Sequence, residues 1–377
     1  MGAHAFLAPS SAHKWGPRGC PASPRMEELY PEDAESPEAI EGTAAHIAFS
    51  EPLLGRTVTA GTLAPNGHPI DETMIAAVEA VHADIRDTLA AHPGLAVRVE
   101  ERVDMSQLVH PQNWGTPDAY IIDPTRKVLF VWDYKYGHRY VDVYRNWQCI
   151  DYAIGVLECN DVPMREWAEW TIYITIAQPR NYHPSGQLRE WQFSGAELAL
   201  FARQLKDAAE AAMDPEAPMV TGEYCLDCTA CASCPAAQKA AMRLVDFTMR
   251  AQPVDLPPEA LSFMLRLMAD AEKRIKAMRV SLEETGLGMV RRGVSLPHHR
   301  GEYSYGREKW TLPADQVFAS GDNLGIDLRK KSEPITPAQA RALKKVDPTL
   351  IDMFAEKPRG ALTLVPFDQS EIGRFFK

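Results

Sequence analysis

Trp114-Gly115-Thr116-Pro117-Asp118 opens a short apolar run, Ala119-Tyr120-Ile121-Ile122, and a second run, Lys127-Val128-Leu129-Phe130-Val131-Trp132, ends on Asp133-Tyr134-Lys135. Short runs rich in Val, Ile and Leu and bounded by Pro, Gly and Asp read as strands. Consecutive strands tend to lie side by side, which sets Asp118 and Asp133 on neighbouring strands. Side chains alternate across a strand, so Asp133 and Lys135 share one face. Two carboxylates on one face suit Mg²⁺ or Mn²⁺, since hard cations take oxygen ligands. Such a metal is a Lewis acid and lowers the pKa of water, and a lysine beside it orients the water or steadies charge on a phosphate. Taken alone, Asp-Tyr-Lys at a strand end is the kind of short match that chance produces.

Outward from this pair, Val97 to Met105 alternates apolar and polar residues as a strand does. It carries Glu100, whose role the pattern leaves open. Glu72 to Ala91 has apolar residues at helical spacing. An earlier helix is expected from Ser36-Pro37 through Phe49, with a Ser cap and Pro in its first turn. It holds Gly42-Thr43-Ala44-Ala45-His46. Downstream, Tyr144 to Leu157 is expected as a helix, Trp170 to Ile176 as a strand and Ala196 to Met213 as a helix. This order implies an α/β fold, a mixed central sheet flanked by helices. Three regions are expected: an N-terminal segment, 1–35, that carries Cys20 and shows little periodicity; a core, 36–250, that includes a cysteine cluster; and a mainly helical or α+β extension, 251–377. The extension opens with an amphipathic helix. Its face of Leu261, Met264, Leu265, Met268, Ala271, Ile275, Met278 and Leu282 is expected to be core. Thr336-Pro337 starts a further short helix.

Composition narrows the classes. The chain has 377 residues, 45% apolar and 24% charged, the balance of a soluble globular protein. No run of roughly 18 apolar residues is present, so no transmembrane helix and no membrane partner is expected. The first residues lack an apolar signal region, so the expected compartment is the cytoplasm, that of the bacterial host if a phage encodes the chain. The net charge of −11 argues against a protein that coats nucleic acid with a broad basic face. A narrow basic groove survives such a total, because local charge steers a ligand. Four of the seven cysteines recur at three-residue spacing in Cys225-Leu226-Asp227-Cys228-Thr229-Ala230-Cys231-Ala232-Ser233-Cys234. That pattern reads as metal ligation before disulfide formation. Cys149 and Cys159 stand alone in apolar contexts and read as small buried hydrophobes.

Further residues gather around the acidic pair. His46 can supply a nitrogen ligand, although a lone helical histidine is more often an ordinary surface or core residue. Gln148 and Tyr152, four apart, face one way on their helix and can bond a phosphate or hold Lys135; the plainer reading is a half-buried helix face. Gly115 and Pro117 fit a tight approach to the Asp118 strand. Beyond the lysine, Arg139, Tyr140 and Arg145 mix cations with aromatic rings, as do the nearby Tyr136 and His138. Such residues grip phosphates and stack on bases. The segment His298-His299-Arg300, Tyr303, Tyr305, Arg307, Lys309 and Trp310 has the same mixture and suits a solvated loop equally well.

In this order, His46, Gly115 to Asp118, Asp133 to Lys135, and Gln148 to Tyr152 resemble the PD-(D/E)XK nuclease superfamily in its RecB-like branch. The resemblance implies a restriction-endonuclease-like core. It assigns His46, Asp118, Asp133 and the Tyr134 carbonyl to a metal, makes Lys135 the catalytic lysine, and adds Gln148 and Tyr152 to the catalytic set. The chain also resembles a family of phage and prophage proteins of that superfamily. The likeness lies in Ala8-Pro9-Ser10-Ser11-Ala12-His13-Lys14-Trp15, Cys20-Pro21-Ala22-Ser23, Glu41 to His46, Asp133 to Gly137, and Arg307 to Trp310, and covers most of residues 8–310. RecB-like iron–sulfur nucleases, the CRISPR-adaptation nucleases among them, use one distant N-terminal cysteine and a C-terminal Cys-x2-Cys-x5-Cys. By that likeness Cys20, Cys225, Cys228 and Cys234 would hold a [4Fe–4S] cluster and leave Cys231 spare. The extra Cys231 keeps open a Zn²⁺ site of Cys225, Cys228, Cys231 and Cys234, although zinc sites usually pair two separated Cys-x2-Cys units. A closed four-ligand site of either kind is structural.

The expected function is that of a Mg²⁺- or Mn²⁺-dependent deoxyribonuclease. By resemblance it is an exonuclease acting on linear single- or double-stranded DNA ends, with phage recombination or replication proteins as partners. Two other classes stay open. One is a DNA-binding or recombination accessory protein that kept the fold without turnover. The other is a zinc-stapled module that binds a replisome or recombinase partner.

Overall fold

A computed structural model describes residues 5–31, 36–181, 183–248, 256–297, 299 and 319. The chain divides into two compact units, Met1–His299 and Arg300–Lys377. The helix expected at Thr336-Pro337 lies outside the described residues, as does the basic and aromatic segment around Tyr303 to Trp310. The described helices are α1 (Ala12–Trp15), α2 (Ser23–Leu29), α3 (Pro37–Leu53), α4 (Glu72–Ala91), α5 (Trp147–Cys159), α6 (Gly195–Met213), α7 (Pro235–Thr248) and α8 (Pro258–Arg291). The strands are β1 (Arg98–Val99), β2 (Val103–Asp104), β3 (Trp114–Gly115), β4 (Ala119–Asp123), β5 (Val128–Tyr134), β6 (Thr171–Ala177) and β7 (Leu188–Ser194).

Local chemistry starts the long helices. The side chains of Ser36, Asp71, Asn146 and Ser194 accept hydrogen bonds from the first-turn amides of α3, α4, α5 and α6. Each satisfies a donor that the helix itself leaves unpaired. At α6 the Glu197 carboxylate bonds back to the Ser194 amide, which completes a capping box.

The sheet runs in the order β1-β4-β5-β6-β7, and β2 pairs with β3 apart from it. β4 and β5 are antiparallel, β5 and β6 parallel, and β6 and β7 antiparallel, so the sheet is mixed. Alternate residues of β5 divide between two cores. Leu129 and Val131 pack with α5 and α6 on one face, and Trp132 and Tyr134 pack with α3 and α4 on the other. The core of the first unit is thus a sheet between two helical layers, the arrangement that buries both faces of a central strand.

The structure departs from the sequence expectations in four places. The strand expected over Val97 to Met105 is two short pieces, because Glu100 takes a left-handed backbone (φ +48°) that breaks the ladder. β7, unforeseen, is an edge strand whose Arg189, Glu190 and Gln192 interrupt the apolar alternation. The N-terminal segment is structured. Leu7, Ala12 and Trp15 are fully buried against the α5–α6 layer. Asn113 Nδ2 bonds both Leu7 O (2.6 Å) and Asp151 Oδ2 (2.8 Å), a wholly buried clamp that only long-range packing creates. Finally, α8 buries Ala271, Ala277, Ser281 and Gly288, whereas Leu261, Leu265, Ile275 and Leu282 of the expected core face are exposed. Small residues let the helix approach the cysteine segment closely enough for Ala232 N to bond Ser281 Oγ at 2.9 Å.

Candidate active site and cysteine site

The β4–β5 register pairs Ala119 with Trp132 and Tyr120 with Val131. One step further it sets Asp118 opposite Asp133. Residues directly opposite on antiparallel strands present side chains to the same face, as close neighbours. The ladder bond at this step is replaced by the side chain: Tyr134 N donates to Asp118 Oδ2 at 2.7 Å. Lys135 follows, its amide held by Ala177 O (2.8 Å). Its ammonium lies 3.0 Å from Asp133 Oδ1 and 3.1 Å from Gln148 Oε1. Gln148 Nε2 in turn donates to Tyr152 Oη (3.4 Å). The i, i+4 spacing on α5 makes that relay, and both residues look back at the strand end.

His46 reaches the same point from α3, its Nδ1 3.3 Å from Asp118 Oδ1. Tyr134 braces this side, its ring 5.2 Å from Phe49 in a stack and 5.6 Å from His46 edge-on. The Gly of the Gly-x-x-Asp motif has a steric reason. A Cβ at Gly115 would lie 2.8 Å from Pro9 and 2.9 Å from Tyr152, so any side chain would push the N-terminal segment or Tyr152 away. Glu100, left unassigned by its pattern, belongs here too. Its amide donates to Asp118 O (3.2 Å), and its carboxylate bonds Ser50 of α3 and faces Asp118 and His46. The signal available was an acid on the strand preceding the Gly-x-x-Asp motif.

The charges interlock. Burial pushes the Asp133 carboxyl up, and Lys135 offsets this only in part. Burial also acts on Asp118, but His46 and Lys135 outweigh it and hold that carboxyl below its usual value. Burial would lower both His46 and Lys135; the two carboxylates reverse the sign and raise them. Asp133 Oδ2 lies 3.0 Å from the ammonium but outside hydrogen-bonding geometry, and it is buried without a hydrogen-bond partner. A carboxylate oxygen left so is an acceptor suited to a cation.

The cysteines converge by a different device. Cys225 N bonds Gly222 O, Cys228 N bonds Cys225 O, Cys231 N bonds Cys228 O, and Cys234 N bonds Cys231 O, at 3.1 to 3.4 Å. Bonds from i+3 to i are those of 3₁₀ turns, in which side chains three apart eclipse. These turns, with extended backbone at Cys228 and Cys234 between and after them, bring the four cysteines to one cavity. Cys20 joins them from the loop before α2, its Sγ accepting from Val220 N at 3.3 Å. All five cysteines, with Met26, Met219 and Tyr224, line one cavity of about 360 Å³ of atom-free space including its mouth. The Cys231 thiol's hydrogen bond draws the Cys225 thiol down to about 6, while burial pushes Cys228 up to about 12 and raises Cys20.

The remaining expected residues have other surroundings. Arg139 forms a two-pronged pair with Asp227, the residue before Cys228, with Nη2 2.7 Å from Oδ2. Asp227 also receives His13 (3.3 Å), and its carbonyl receives Lys14 (3.3 Å). Burial pushes Asp227 up, but His13 and Arg139 outweigh it and hold its carboxyl far below the usual range. Tyr140 stacks on His183 at 4.9 Å, and Arg145 lies 5.4 Å over Tyr144. Cys149 is buried beside Lys135, and Cys159 is exposed, contrary to its apolar sequence context.

Six expected residues, His46, Asp118, Asp133, Lys135, Gln148 and Tyr152, thus meet at one sheet end, with the Tyr134 main chain between them. Among the described residues, no three His, Cys, Asp or Glu side chains are placed as a finished metal-holding group at either site. At the sheet end, Lys135 and His46 take up oxygens that a cation would share. In the turns, Cys225 Sγ accepts from Gly222 N at 3.4 Å. No solved structure matches this chain. One family model, described as "Protein of unknown function (DUF2800)", matches residues 4–371, a span that holds both sites. The chain belongs to the DUF2800 family.

Proposed function

We propose that the protein is a Mg²⁺- or Mn²⁺-dependent deoxyribonuclease with a PD-(D/E)XK core of the RecB-like kind, and that it works as an exonuclease in phage DNA replication or recombination. The observation that carries this reading is the register-fixed pair Asp118 and Asp133, with the buried Asp133 carboxylate ion-paired to Lys135 on the same face. Asp118, Asp133, His46 and the Tyr134 carbonyl would hold the metal, with Glu100 close by. When bound, a hard divalent cation supplies Lewis-acid charge to the phosphate and makes water more acidic. The protein supplies the rest. Gln148, anchored on Tyr152, holds the Lys135 ammonium towards the strand end, where it can orient water and balance phosphate charge. The Asp118 carboxylate beside His46 raises that imidazole's affinity for a proton, and any such proton must leave for the imidazole to act as a ligand. Metal loading is therefore expected to weaken as pH falls.

The cysteine site fits a structural metal in donor chemistry. Cys20 lining the same cavity as Cys225, Cys228 and Cys234 supports the [4Fe–4S] set over a Zn²⁺ held by the four neighbouring cysteines. Iron, sulfide and zinc analysis of anaerobically purified protein separates the two.

The test of function is cleavage of end-labelled linear and circular DNA, single- and double-stranded, with Mg²⁺ or Mn²⁺. Wild type should cut linear DNA, and Asp133→Ala should not. Protein that binds DNA and leaves every substrate intact would replace this reading with the accessory one.

A further inference from the structure

Parallel β5–β6 and antiparallel β6–β7 pairing bring Tyr134, Ala177 and Leu188 into one row. The loop after Lys135, the loop after β6 and the start of β7 therefore leave the sheet at the same end as the candidate active site. A second set of side chains organises this rim. Gln178 is fully buried, and its Nε2 donates to Gly137 O (2.9 Å) and Arg139 O (2.6 Å). Its Oε1 accepts from Val141 N (3.2 Å) and Arg189 Nη2 (2.7 Å), and that Nη2 also reaches Val141 O (3.0 Å). A buried glutamine and guanidinium are costly unless they are well bonded. Here they fix the main chain of the loop that follows the lysine.

Rings and cations alternate on this frame. The buried Arg189 guanidinium lies 4.8 Å from the Tyr140 ring, and Tyr140 stacks on His183. Arg189 Nε and Nη1 have no hydrogen-bond partner, so the ring is what the guanidinium faces. Tyr144 meets Trp191 edge-on at 5.2 Å, with Arg145 over it. Tyr140 keeps 42% and Tyr144 40% of its surface exposed. Large rings held on a rigid rim, exposed and interleaved with cations, offer little to a duplex, whose base faces are hidden in its own stack. They suit a strand whose bases are free to stack on protein.

We infer that Tyr140, His183, Tyr144 and Trp191 form a stacking shelf for single-stranded DNA, and that the strand reaching Lys135 is unpaired. The placement of the strand rests on the nuclease reading; the shelf itself is tested by binding alone. The full-length protein would be titrated in EDTA, which prevents cutting, against a labelled DNA oligonucleotide, its blunt duplex, and RNA of the same sequence, read by fluorescence anisotropy. The single strand of DNA should bind at least about tenfold more tightly than the duplex. Each ring lost in Tyr140→Ala and Tyr144→Ala should cost about tenfold for the single strand. Tyr140→Phe with Tyr144→Phe keeps the rings and should bind as wild type does, which separates stacking from misfolding. Equal affinity for single strand and duplex, unchanged binding by the alanine variants, or RNA bound more tightly than DNA would each overturn the shelf. Tight single-strand binding with no cleavage in Mg²⁺ or Mn²⁺ would keep the shelf and remove the nuclease reading. Duplex cleavage that the alanine variants leave untouched would do the reverse.

Discussion

The sheet-end cluster and the cysteine segment are ordered by different means. Asp118 and Asp133 are opposed by a strand register that extends across β4 and β5, and each neighbouring residue pair reinforces it. Cys225 and Cys231 sit in two 3₁₀ turns, Glu223–Asp227 and Cys231–Ser233, and Cys228 and Cys234 follow directly after them, tied mainly by turn bonds of 3.1 to 3.4 Å. Such turns are short and their hydrogen bonds poorly aligned. The comparison teaches that the first cluster is positioned by long-range strand pairing, whereas the second is held mainly by local turns.

Lys135→Ala is the largest test of the first half. Activity should fall roughly 10³-fold. Stability should also fall by about 3 kcal/mol, since Asp133 would stay buried without its ammonium. A denaturant titration showing no loss would mean that the pair is not preformed. Next, if the proposed cluster or zinc is bound, Cys225→Ser with Cys228→Ser should remove it and lower the thermal midpoint, while Mn²⁺ binding at the sheet end stays as in wild type. Loss of both metals together would break the separation between the regions.

The third variant probes the buried N-terminal clamp, which lies outside both regions. Burial pushes the Asp151 carboxyl up to about 8 in the fold, well above the ordinary carboxyl value of 3.8. The folded state therefore binds a proton that the unfolded state has released across that window, and stability declines as pH rises through it. Asp151→Asn should abolish a decline of about 2 kcal/mol between about pH 5 and about pH 7. Thermal midpoints measured at the two pH values check this, and parallel curves for both proteins would refute it. The smallest effect is expected from Asp227→Ala. Its partners Arg139 and His13 are largely exposed, so the loss should be about 1 kcal/mol or less. A larger loss would show that the cysteine segment leans on the loop after Lys135 more than surface pairs allow.

Sequence was most informative where the chemistry is local. Ser36, Asp71, Asn146 and Ser194 mark helix starts within a turn, and the expected helices fall on α3, α4, α5 and α6 with small shifts at their ends. That His46, Asp118, Asp133, Lys135, Gln148 and Tyr152 belong together was read from their resemblance to a nuclease motif order; strand alternation and the i, i+4 rule account for Asp133 with Lys135 and Gln148 with Tyr152 facing one way. What was hidden depends on partners far away in sequence. Glu100 breaks its strand to bond Ser50 and Asp118. Arg189 and Gln178 look like ordinary polar residues until β7 is seen beside β6. The contact of Asp227 with His13 and Arg139 has no sequence signature at all.

The route by which Cys20 meets its partners has a consequence in time. Its sulfur bonds an amide 200 residues further along the chain. At synthesis rates of about 5–20 residues per second, that partner emerges some 10–40 s later. Throughout this interval Leu7, Ala12 and Trp15 are already made, while the α5–α6 layer that buries them is not yet complete. The start of the chain waits longest for its place, and a nascent chain stalled before α6 would display these apolar residues to whatever holds unfinished proteins.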